Sequence, residues 1–222
     1  MNCLIDIHTH HTPDEDSTAF ILKNIILPTQ KTPETGNYSI GWHPWFITNH
    51  RLKEIEDRLN TELKLPQVIA VGECGIDRAV QTPLDVQQKV FEIHLKLAMT
   101  YQKPIIVHSV RSYSDLLAIF KKRDFKLPVI FHDYRGNTQQ TKELLKFNSY
   151  FSFGEGIQKQ ENMKSNIRGI PLTRIFFETD ESLLPIEKIY LRAATVLDVS
   201  LEELSKQIIN NFKAIFGDGL VE

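Results

Sequence analysis

The stretch PIIVHSVRSYSDLLAIFKKRDFKLPVIFHD (residues 104–133) carries a short apolar run, rich in Ile, Val and Phe, at each of its ends. Nearly continuous apolar runs of this kind are typical of strands in a parallel sheet whose two faces are both covered. Between the two runs, residues 112–122 have a helical pattern. The stretch therefore predicts a strand, a helix and a second strand, the repeating unit of an α/β fold.

The same alternation runs along the rest of the chain and predicts eight strands, most of them separated by helices. Thr82 and Pro83 suit a helix cap and a first helical residue, and Asn137 and Ser200 each precede a Gln or Glu by three residues, as in a capping box. The predicted strands are 3–10, 19–27, 38–44, 67–73, 104–109, 128–133, 150–154 and 174–180. The predicted helices are 49–63, 83–102, 112–122, 137–147, 159–168, 185–197 and 200–216.

Eight strands with helices between them fit a (β/α)8 TIM-type barrel better than an open sheet. The N-terminal end departs from this pattern, because only about ten residues separate the first two strands and QKTPETGN (30–37) separates the second and third. A crossover helix normally needs about a dozen residues or more. We therefore expect a barrel that is trimmed or distorted at its N-terminal strands, where the second strand could run antiparallel. Since the sequence has no internal repeat or linker, we expect one domain over residues 1–222.

The composition is that of an ordinary globular protein. The 222 residues include 26 basic and 28 acidic side chains, for a net charge of −2, with 41% hydrophobic and 24% charged residues. These values exclude collagen-like, coiled-coil and largely disordered chains, and they argue against binding nucleic acid mainly through bulk positive charge. Two cysteines make no disulfide framework, no stretch of about 20 apolar residues is present, and the opening residues lead us to expect no signal peptide. We expect a cytosolic protein with free thiols, no membrane contact and no protein partner.

Side chains that can bind metals fall where the predicted strands end. His8 and His10 in DIHTHH (6–11) are two residues apart on one strand, so both side chains point to the same face. In a (β/α)8 barrel, one set of strand ends shares one rim, and active sites lie there. Several imidazoles and carboxylates that converge on one rim need a cation to satisfy them. The residues predicted to share this rim are His8, His10, His43, Glu73, His108, His132 and Asp180.

Six motifs along the chain, taken together, resemble the TatD family of metal-dependent hydrolases and deoxyribonucleases. The similarity runs from about Asp6 to Phe216. The resemblance implies a (β/α)8 barrel of the amidohydrolase type. The motifs are DIHTHH (6–11), GWHP (41–44), VGECGID (71–77), PIIVHSVR (104–111), IFHDYRG (130–136) and IFFETDESLLP (175–185).

The resemblance also implies a site for two divalent metal ions, drawn from Zn, Mn, Mg, Fe and Ni. Glu73 would bridge the two ions, and Asp180 would orient or deprotonate the attacking water, which makes both residues catalytic. The implied ligands are His8, His10, Glu73 and Asp180 for one ion and Glu73, His108 and His132 for the other.

The chain departs from the family pattern after Asp180. The family usually has a proline two places later, whereas Glu181 and Ser182 follow here. A stretch with the sequence Arg-Asn-Glu-Pro, which contacts substrate in the family, is also missing, because Leu184 leads directly into PIEKIYLR (185–192). These departures leave the predicted metal ligands intact and leave the substrate open.

Other residues near these motifs have two interpretations each. His43 either contacts substrate phosphate or supports a metal ligand. Arg111 is a candidate phosphate clamp, since a guanidinium group binds phosphate oxygens in pairs, or else a solvated residue at a helix start. Trp42, Trp45 and Phe46 either stack against a base or pack beside the strand end.

Three further assignments concern residues outside the predicted ligand set. We expect Asp77 to orient the loop that carries Glu73 rather than to contact substrate. His50 and His94 fall on predicted helices, and we expect both at the surface.

The function that best fits these features is hydrolysis of a phosphodiester by a water molecule that two metals activate, with DNA as the expected substrate. One alternative keeps the site and changes the bond to an ester or amide, such as a D-aminoacyl-tRNA ester. A second alternative is a phosphoesterase of the PHP family. The segment DIHTHHTPDED (6–16) resembles the opening motif of that family. The third is a barrel that has lost activity and serves as a metal-binding or interaction module.

Overall fold

The computed structural model describes residues 3–12, 18–47, 52–158 and 161–221. Within these ranges the eight predicted strands are all present. They are β1 (Ile5–Thr9), β2 (Phe20–Ile26), β3 (Tyr38–Gly41), β4 (Val68–Asp77), β5 (Ile105–Val110), β6 (Val129–Phe131), β7 (Ser149–Phe153) and β8 (Ile175–Phe177). The α-helices are α1 (Leu52–Glu62), α2 (Leu84–Tyr101), α3 (Tyr113–Arg123), α4 (Thr138–Leu144), α5 (Glu161–Arg168), α6 (Ile186–Leu197) and α7 (Leu201–Phe216).

The strands follow one another in a single sheet in chain order, from β1 to β8. Helices connect each strand to the next from β3 onward, with short 3-10 turns around some of them. This strand order and these connections confirm the predicted (β/α)8 TIM-type fold. No helix in the described ranges is both long and apolar enough to cross a membrane.

Two compact units can be distinguished. The first comprises the described residues up to Lys23 and those from His132 onward, and the second comprises those between Asn24 and Phe131. The expectation of one domain over 1–222 stays a prediction.

In the first unit, the C-terminal helices cover strands β1 and β8. Phe212 of α7 packs on Phe20, with ring centroids 4.6 Å apart, and Tyr190 of α6 packs on Phe177 at 4.7 Å. The Tyr190 hydroxyl also donates to the Ile5 carbonyl oxygen and accepts from the Ile5 N–H. These contacts fix β1 against α6 and hence fix the strand that precedes His8 and His10.

In the second unit, β3, β4, β5 and β6 form parallel pairs, and α2 packs against β4. Aromatic side chains from α2, α3 and β6 fill the layer between sheet and helices. Phe120 lies 5.8 Å from Phe91 and 6.3 Å from Phe131, measured between ring centroids. All three rings are buried.

The N-terminal strands correct one expectation. β1 and β2 are parallel, with Ile5 opposite Phe20 and Thr9 opposite Lys23, so an antiparallel second strand is wrong. A chain of about ten residues can span roughly 30 Å when extended, which exceeds the length of β1 and suffices for a parallel connection. A register shift between Asp6 and Thr9 agrees with a distorted N-terminal end.

Helix starts follow the predictions with one exception. The capping boxes at Asn137 and Ser200 are confirmed, because each side chain accepts the predicted backbone N–H and receives the reciprocal bond. Pro83, however, precedes the first helical residue, Leu84, instead of occupying that position. Thr82 does not cap α2, because its hydroxyl donates to the Ile47 carbonyl oxygen at 3.1 Å.

Candidate metal centre

The first cluster of donor atoms lies in the first unit, where β1 and β8 end side by side. His10 directly follows β1, and Asp180 comes shortly after β8. Nε2 of His8 and Nε2 of His10 lie 3.6 and 3.4 Å from Oδ1 of Asp180. These three residues form one of the groups whose ligand atoms lie together closely enough to hold a metal ion.

Backbone pairing sets this arrangement. The Asp180 N–H donates to the His8 carbonyl oxygen at 3.0 Å, and the His10 N–H donates to the Asp180 carbonyl oxygen at 3.2 Å. Asp180 has a φ of +52°, in the left-handed region that Asp adopts more readily than most residues. The chain after β8 therefore pairs again with β1 at Asp180, and the turn directs the carboxylate to the two imidazoles.

The spacing within this cluster suits a bound cation. Nitrogen and oxygen ligands lie about 2.1 Å from a transition-metal ion, which puts neighbouring ligands roughly 3.0–3.4 Å apart. A hydrogen bond would bring the same atoms to about 2.7–3.2 Å. The observed 3.4 and 3.6 Å are therefore closer to the spacing of ligands around an ion than to that of hydrogen-bonded partners. Two imidazoles and one carboxylate also form a donor set that suits Zn, Mn, Fe or Ni.

Asp6 stabilises the backbone next to this cluster through hydrogen bonds with Thr179. Its Oδ1 accepts the Thr179 N–H at 3.0 Å, and its Oδ2 accepts the Thr179 hydroxyl at 2.6 Å. The Thr179 hydroxyl also lies 2.8 Å from the hydroxyl of Thr9. Burial raises the pKa of Asp6 to about 7, although the bonds from Thr179 oppose that rise. Asp6 therefore links β1 to the residue that precedes Asp180.

His132, a predicted ligand, also lies in the first unit and directly follows β6. Its ring centroid is 4.6 Å from that of His8. Its Nδ1 lies 3.7 Å from Oε1 of Glu178, a fully buried carboxylate. Glu178 accepts the Asp133 N–H at 2.6 Å and the Ser152 hydroxyl. The sequence analysis missed Glu178, although a carboxylate that directly follows the apolar run IFF (175–177) was a usable signal.

Burial raises the pKa of Asp133, and the neighbouring charge of Glu178 adds to that rise. Arg135 opposes it through an ion pair with Asp133 at 2.6 Å. Two carboxylates therefore lie behind His132, and a single arginine offsets part of their charge.

The second cluster lies in the second unit and contains His43, Glu73 and His108, all buried. Oε1 of Glu73 is 2.7 Å from Nδ1 of His108 and 3.2 Å from Nε2 of His43. The 2.7 Å distance is that of a hydrogen bond and is shorter than the spacing of ligands around one ion, whereas 3.2 Å fits either arrangement. The structure thus brings Glu73 and His108 together as predicted, with His43 as the third member of their group.

Local backbone structure orients His43. It precedes the 3-10 turn Pro44–Phe46, and its Nδ1 accepts the backbone N–H of Trp45 at 3.2 Å. A neutral imidazole whose Nδ1 accepts carries its proton on Nε2, the atom that faces Glu73. His43 therefore presents an N–H donor to this cluster.

Asp77 holds the opposite side of His108. Its Oδ2 lies 3.2 Å from Nε2 of His108 and accepts the indole N–H of Trp45 at 2.7 Å, and its Oδ1 accepts the Ala79 N–H at 2.7 Å. Burial raises the pKa of Asp77, but the bonds from Trp45, Ala79 and His108 outweigh burial and leave that pKa below its usual value. Asp77 faces His108, which in turn contacts Glu73, and its role in orienting the loop that carries Glu73 stays a prediction.

The sequence predicted that the fourth strand ends at Glu73, and this prediction is wrong. β4 continues to Asp77, because Cys74 and the residues after it pair in parallel with Val107–Val110 of β5. The pairing is tight at Gly75, where a Cβ would lie 2.0 Å from the His108 carbonyl oxygen. Only glycine fits this approach, so the glycines flanking Glu73 belong to the strand and do not terminate it.

The structure also places Arg111 and His94, and the role of Arg111 stays a prediction. Arg111 directly follows β5 and is exposed, a position open to solvent and to ligands. His94 is fully buried in α2, so its predicted surface position is wrong, whereas His50 lies outside the described residues. Nε2 of His94 accepts the Trp42 N–H at 2.9 Å while Nδ1 bonds to the Val90 carbonyl oxygen, and burial lowers the pKa of His94 to about 4.

A (β/α)8 fold with clustered histidines and carboxylates after its strands is the architecture of a metal-dependent hydrolase. The chain matches the family model described as TatD related DNase over residues 16–217, and it belongs to that family. The family resemblance in the sequence is therefore confirmed, and the chain is a TatD-type metal-dependent hydrolase.

Relatives and solved structures agree with this assignment. The uncharacterized metal-dependent hydrolase YabD of Bacillus subtilis is 27% identical over 198 residues, covering 80% of this chain and 76% of the relative. The human 3'-5' RNA nuclease TATDN2 is 33% identical over 151 residues, which cover 64% of this chain and 19% of that protein. The crystal structure of the TatD homologue YjjV from Escherichia coli matches the fold with a TM-score of 0.83 at 21% identity, covering 97% of this chain and 98% of that structure.

Proposed function

We propose that this protein hydrolyses phosphodiester bonds in nucleic acid with the help of two divalent metal ions, and that DNA is its substrate. The observation that carries the proposal is the first cluster. In it, the imidazoles of His8 and His10 lie 3.6 and 3.4 Å from the carboxylate of Asp180, which is partly exposed to solvent. Divalent ions bound at such sites lower the pKa of water and stabilise negative charge on a phosphate.

The protein's own residues have distinct tasks in this proposal. The side chain of Asp180 is 29% exposed, so it can meet water, orient it and accept its proton. His43 and Arg111 are the proposed phosphate contacts, and Arg111 would act through its exposed guanidinium group. His8, His10, His108 and His132 are the proposed imidazole ligands. The bridging role of Glu73 stays a prediction from the family resemblance.

The named relatives support a nucleic-acid substrate and differ on its kind. The human relative is named as an RNA nuclease, and a relative in Schizosaccharomyces pombe that is 31% identical over 134 residues is named Deoxyribonuclease Tat-D, with coverage of 58% of this chain and 43% of that protein. The family match sets aside the PHP alternative. The predicted cytosolic location is consistent with an intracellular nuclease and stays a prediction.

The decisive experiment compares substrates under one set of conditions. Metal-stripped protein is loaded in turn with Mg²⁺, Mn²⁺, Zn²⁺, Fe²⁺ or Ni²⁺ and incubated with single-stranded DNA, duplex DNA, single-stranded RNA and a D-aminoacyl-tRNA. We expect metal-dependent release of nucleotides from DNA, which a chelator abolishes. Faster cleavage of the aminoacyl ester would favour the alternative, a change of bond at the same site that the missing Arg-Asn-Glu-Pro stretch makes worth testing. Metal binding without any hydrolysis would support an inactive metal-binding module.

A further inference from the structure

Trp45 is a large aromatic side chain that is both exposed and held in place. Its 61% exposure is the highest of any aromatic residue in the described ranges. Its indole N–H donates to Oδ2 of Asp77 at 2.7 Å, and Asp77 is only 2% exposed. Because the N–H edge of the ring is fixed at a buried carboxylate, the faces and the far edge of the indole account for its exposure.

The ring stands beside the second cluster, in the same unit. Its centroid is 5.0 Å from that of His43 and 6.4 Å from that of His108, and its plane is nearly perpendicular to both imidazoles, at 88° and 78°. Both histidines contact Glu73. A group that lies against the indole face would therefore be close to the imidazoles of His43 and His108.

Trp42 shows what a packing tryptophan looks like in the same segment. It is 3% exposed, and its indole N–H donates to the Phe46 carbonyl oxygen at 3.0 Å. Trp45 lies three residues later and leaves most of its surface in solvent. Packing accounts for Trp42 and does not account for Trp45.

We propose that Trp45 is a stacking platform for one nucleobase of the substrate, next to the phosphodiester that the second cluster binds. The inference rests on the proposed function and adds a specificity to it. Base stacking on an aromatic side chain tolerates any base, because every base has a π-face. A base in a duplex has both faces covered, so stacking on Trp45 favours single strands and unpaired ends. The fixed indole loses little conformational freedom when a base binds, which strengthens the contact.

Two variants separate stacking from the hydrogen bond to Asp77. Trp45→Phe and Trp45→Leu both lose the indole N–H, but only Phe retains an aromatic face. Each protein is titrated with a fluorescein-labelled single-stranded hexathymidylate and with its abasic counterpart, in a metal that does not support turnover. Comparison of the four variant–oligonucleotide pairs isolates the contribution of the aromatic face.

We expect the wild-type protein to bind the hexathymidylate roughly tenfold or more tightly than the abasic strand, the usual range for one stacked base. Trp45→Phe should keep most of that preference, and Trp45→Leu should bind the two strands about equally. Trp42 and Trp45 are the only tryptophans in the sequence, so Trp42→Phe leaves Trp45 as the sole indole fluorophore. Hexathymidylate should quench the fluorescence of Trp42→Phe and leave that of Trp45→Phe unchanged.

The outcomes separate the stacking proposal from the proposed function. Should the base preference survive in Trp45→Leu while DNA is still cleaved, stacking on Trp45 is overturned and the nuclease proposal stands. Should the wild-type protein neither bind nor cleave any nucleic acid with any metal, both proposals are overturned. Melting temperatures check that each variant folds, and the quenching experiment decides the matter without the Leu variant if that protein does not.

Discussion

The two donor clusters differ in how far they are prepared for a metal ion. In the first, Asp180 Oδ1 stands 3.4 and 3.6 Å from the imidazole nitrogens of His10 and His8, and its side chain is 29% exposed. In the second, Glu73 is buried and makes hydrogen-bond contacts of 2.7 and 3.2 Å with His108 and His43. An ion entering the first cluster finds its donors spaced and reachable, whereas an ion entering the second must displace existing bonds.

This difference predicts that the two clusters bind metal with unequal affinity, the first more tightly. It also assigns them different work. The exposed carboxylate of the first cluster suits the handling of water, and the buried bonds of the second suit the positioning of fixed groups beside the substrate. Variants of Glu73, Asp180 and Asp77 test this division, and His94 supplies a comparison outside both clusters.

The largest effect is expected from Glu73→Ala. Glu73 is the carboxylate that joins the two imidazoles of the second cluster, and the family resemblance assigns it to both ions. The variant should lose the metal of the second cluster and bind the other ion more weakly, whereas His132→Ala should weaken mainly one ion. Metal content per chain, measured by elemental analysis after dialysis, distinguishes these results. Equal losses in the two variants would contradict the bridging role.

The next effect concerns Asp180→Asn. Asn keeps one oxygen for a cation and cannot accept the proton of water, so the turnover number should fall by roughly 10²–10⁴-fold while the fold and most of the metal remain. Asp198→Asn is a matched control, because Asp198 is exposed and has a similar left-handed backbone, with φ values of +56° and +52°. Rates at saturating metal, with melting temperatures, test the prediction. Near-normal turnover would remove Asp180 from the mechanism.

His94 offers a third comparison, between a histidine that serves folding and those in the clusters. Its folded pKa is about 4, below the ordinary 6.5, because burial disfavours the charged ring. Between these values the unfolded chain binds a proton that the folded protein does not, so the free energy of unfolding falls as the pH falls from 6.5 towards 4. The full loss is about 3 kcal/mol, since each unit of pKa corresponds to about 1.4 kcal/mol.

The check is urea unfolding of metal-stripped wild type and His94→Gln at several pH values between 7 and 4. Glutamine has no proton to gain in this range, so the stability gap between the two proteins should shrink as the pH falls. A gap that stays constant would show that His94 is not the titrating group.

The sequence was most informative where the same pattern, an apolar run followed by a histidine, occurs in several strands. Histidines that directly follow apolar runs, such as His108 and His132, predicted both the strands and the metal-capable rim. Contacts between side chains distant in sequence could not be predicted in this way. Thr179 bonding Asp6, Ser152 bonding Glu178 and Trp45 bonding Asp77 depend on which strands and turns become neighbours.

The errors have local physical causes. His94 was expected at the surface because it falls on a predicted helix, but it lies on the buried face of α2, where its Nε2 accepts the Trp42 N–H. β4 was expected to end at Glu73 because glycine often ends a strand, whereas Gly75 permits the close approach of β5 that extends it. Both cases show tertiary contacts overriding a local propensity.

The smallest effect is expected from Asp77→Asn, which tests whether the second cluster depends on its outer carboxylate. Asp77 accepts bonds from Trp45 and Ala79 and faces Nε2 of His108. When Nδ1 of His108 binds a metal, the Asp77 carboxylate would accept the remaining ring proton from Nε2 and so hold the imidazole in the tautomer that binds. The amide N–H₂ of Asn cannot accept a proton in a hydrogen bond, so when it faces His108 it favours the tautomer with the proton on Nδ1 and blocks that atom.

We expect a loss of roughly 10–100-fold in metal affinity at the second cluster, the usual effect of removing such a partner, with little change at the first. Asp115→Asn is the matched control, since both carboxylate oxygens of Asp115 accept hydrogen bonds from Arg78, which belongs to neither cluster. Calorimetric metal titration of the three proteins, fitted with two sites, measures both affinities. Equal weakening of the two sites would show that the clusters do not act separately, and unchanged binding would reduce Asp77 to a support for Trp45.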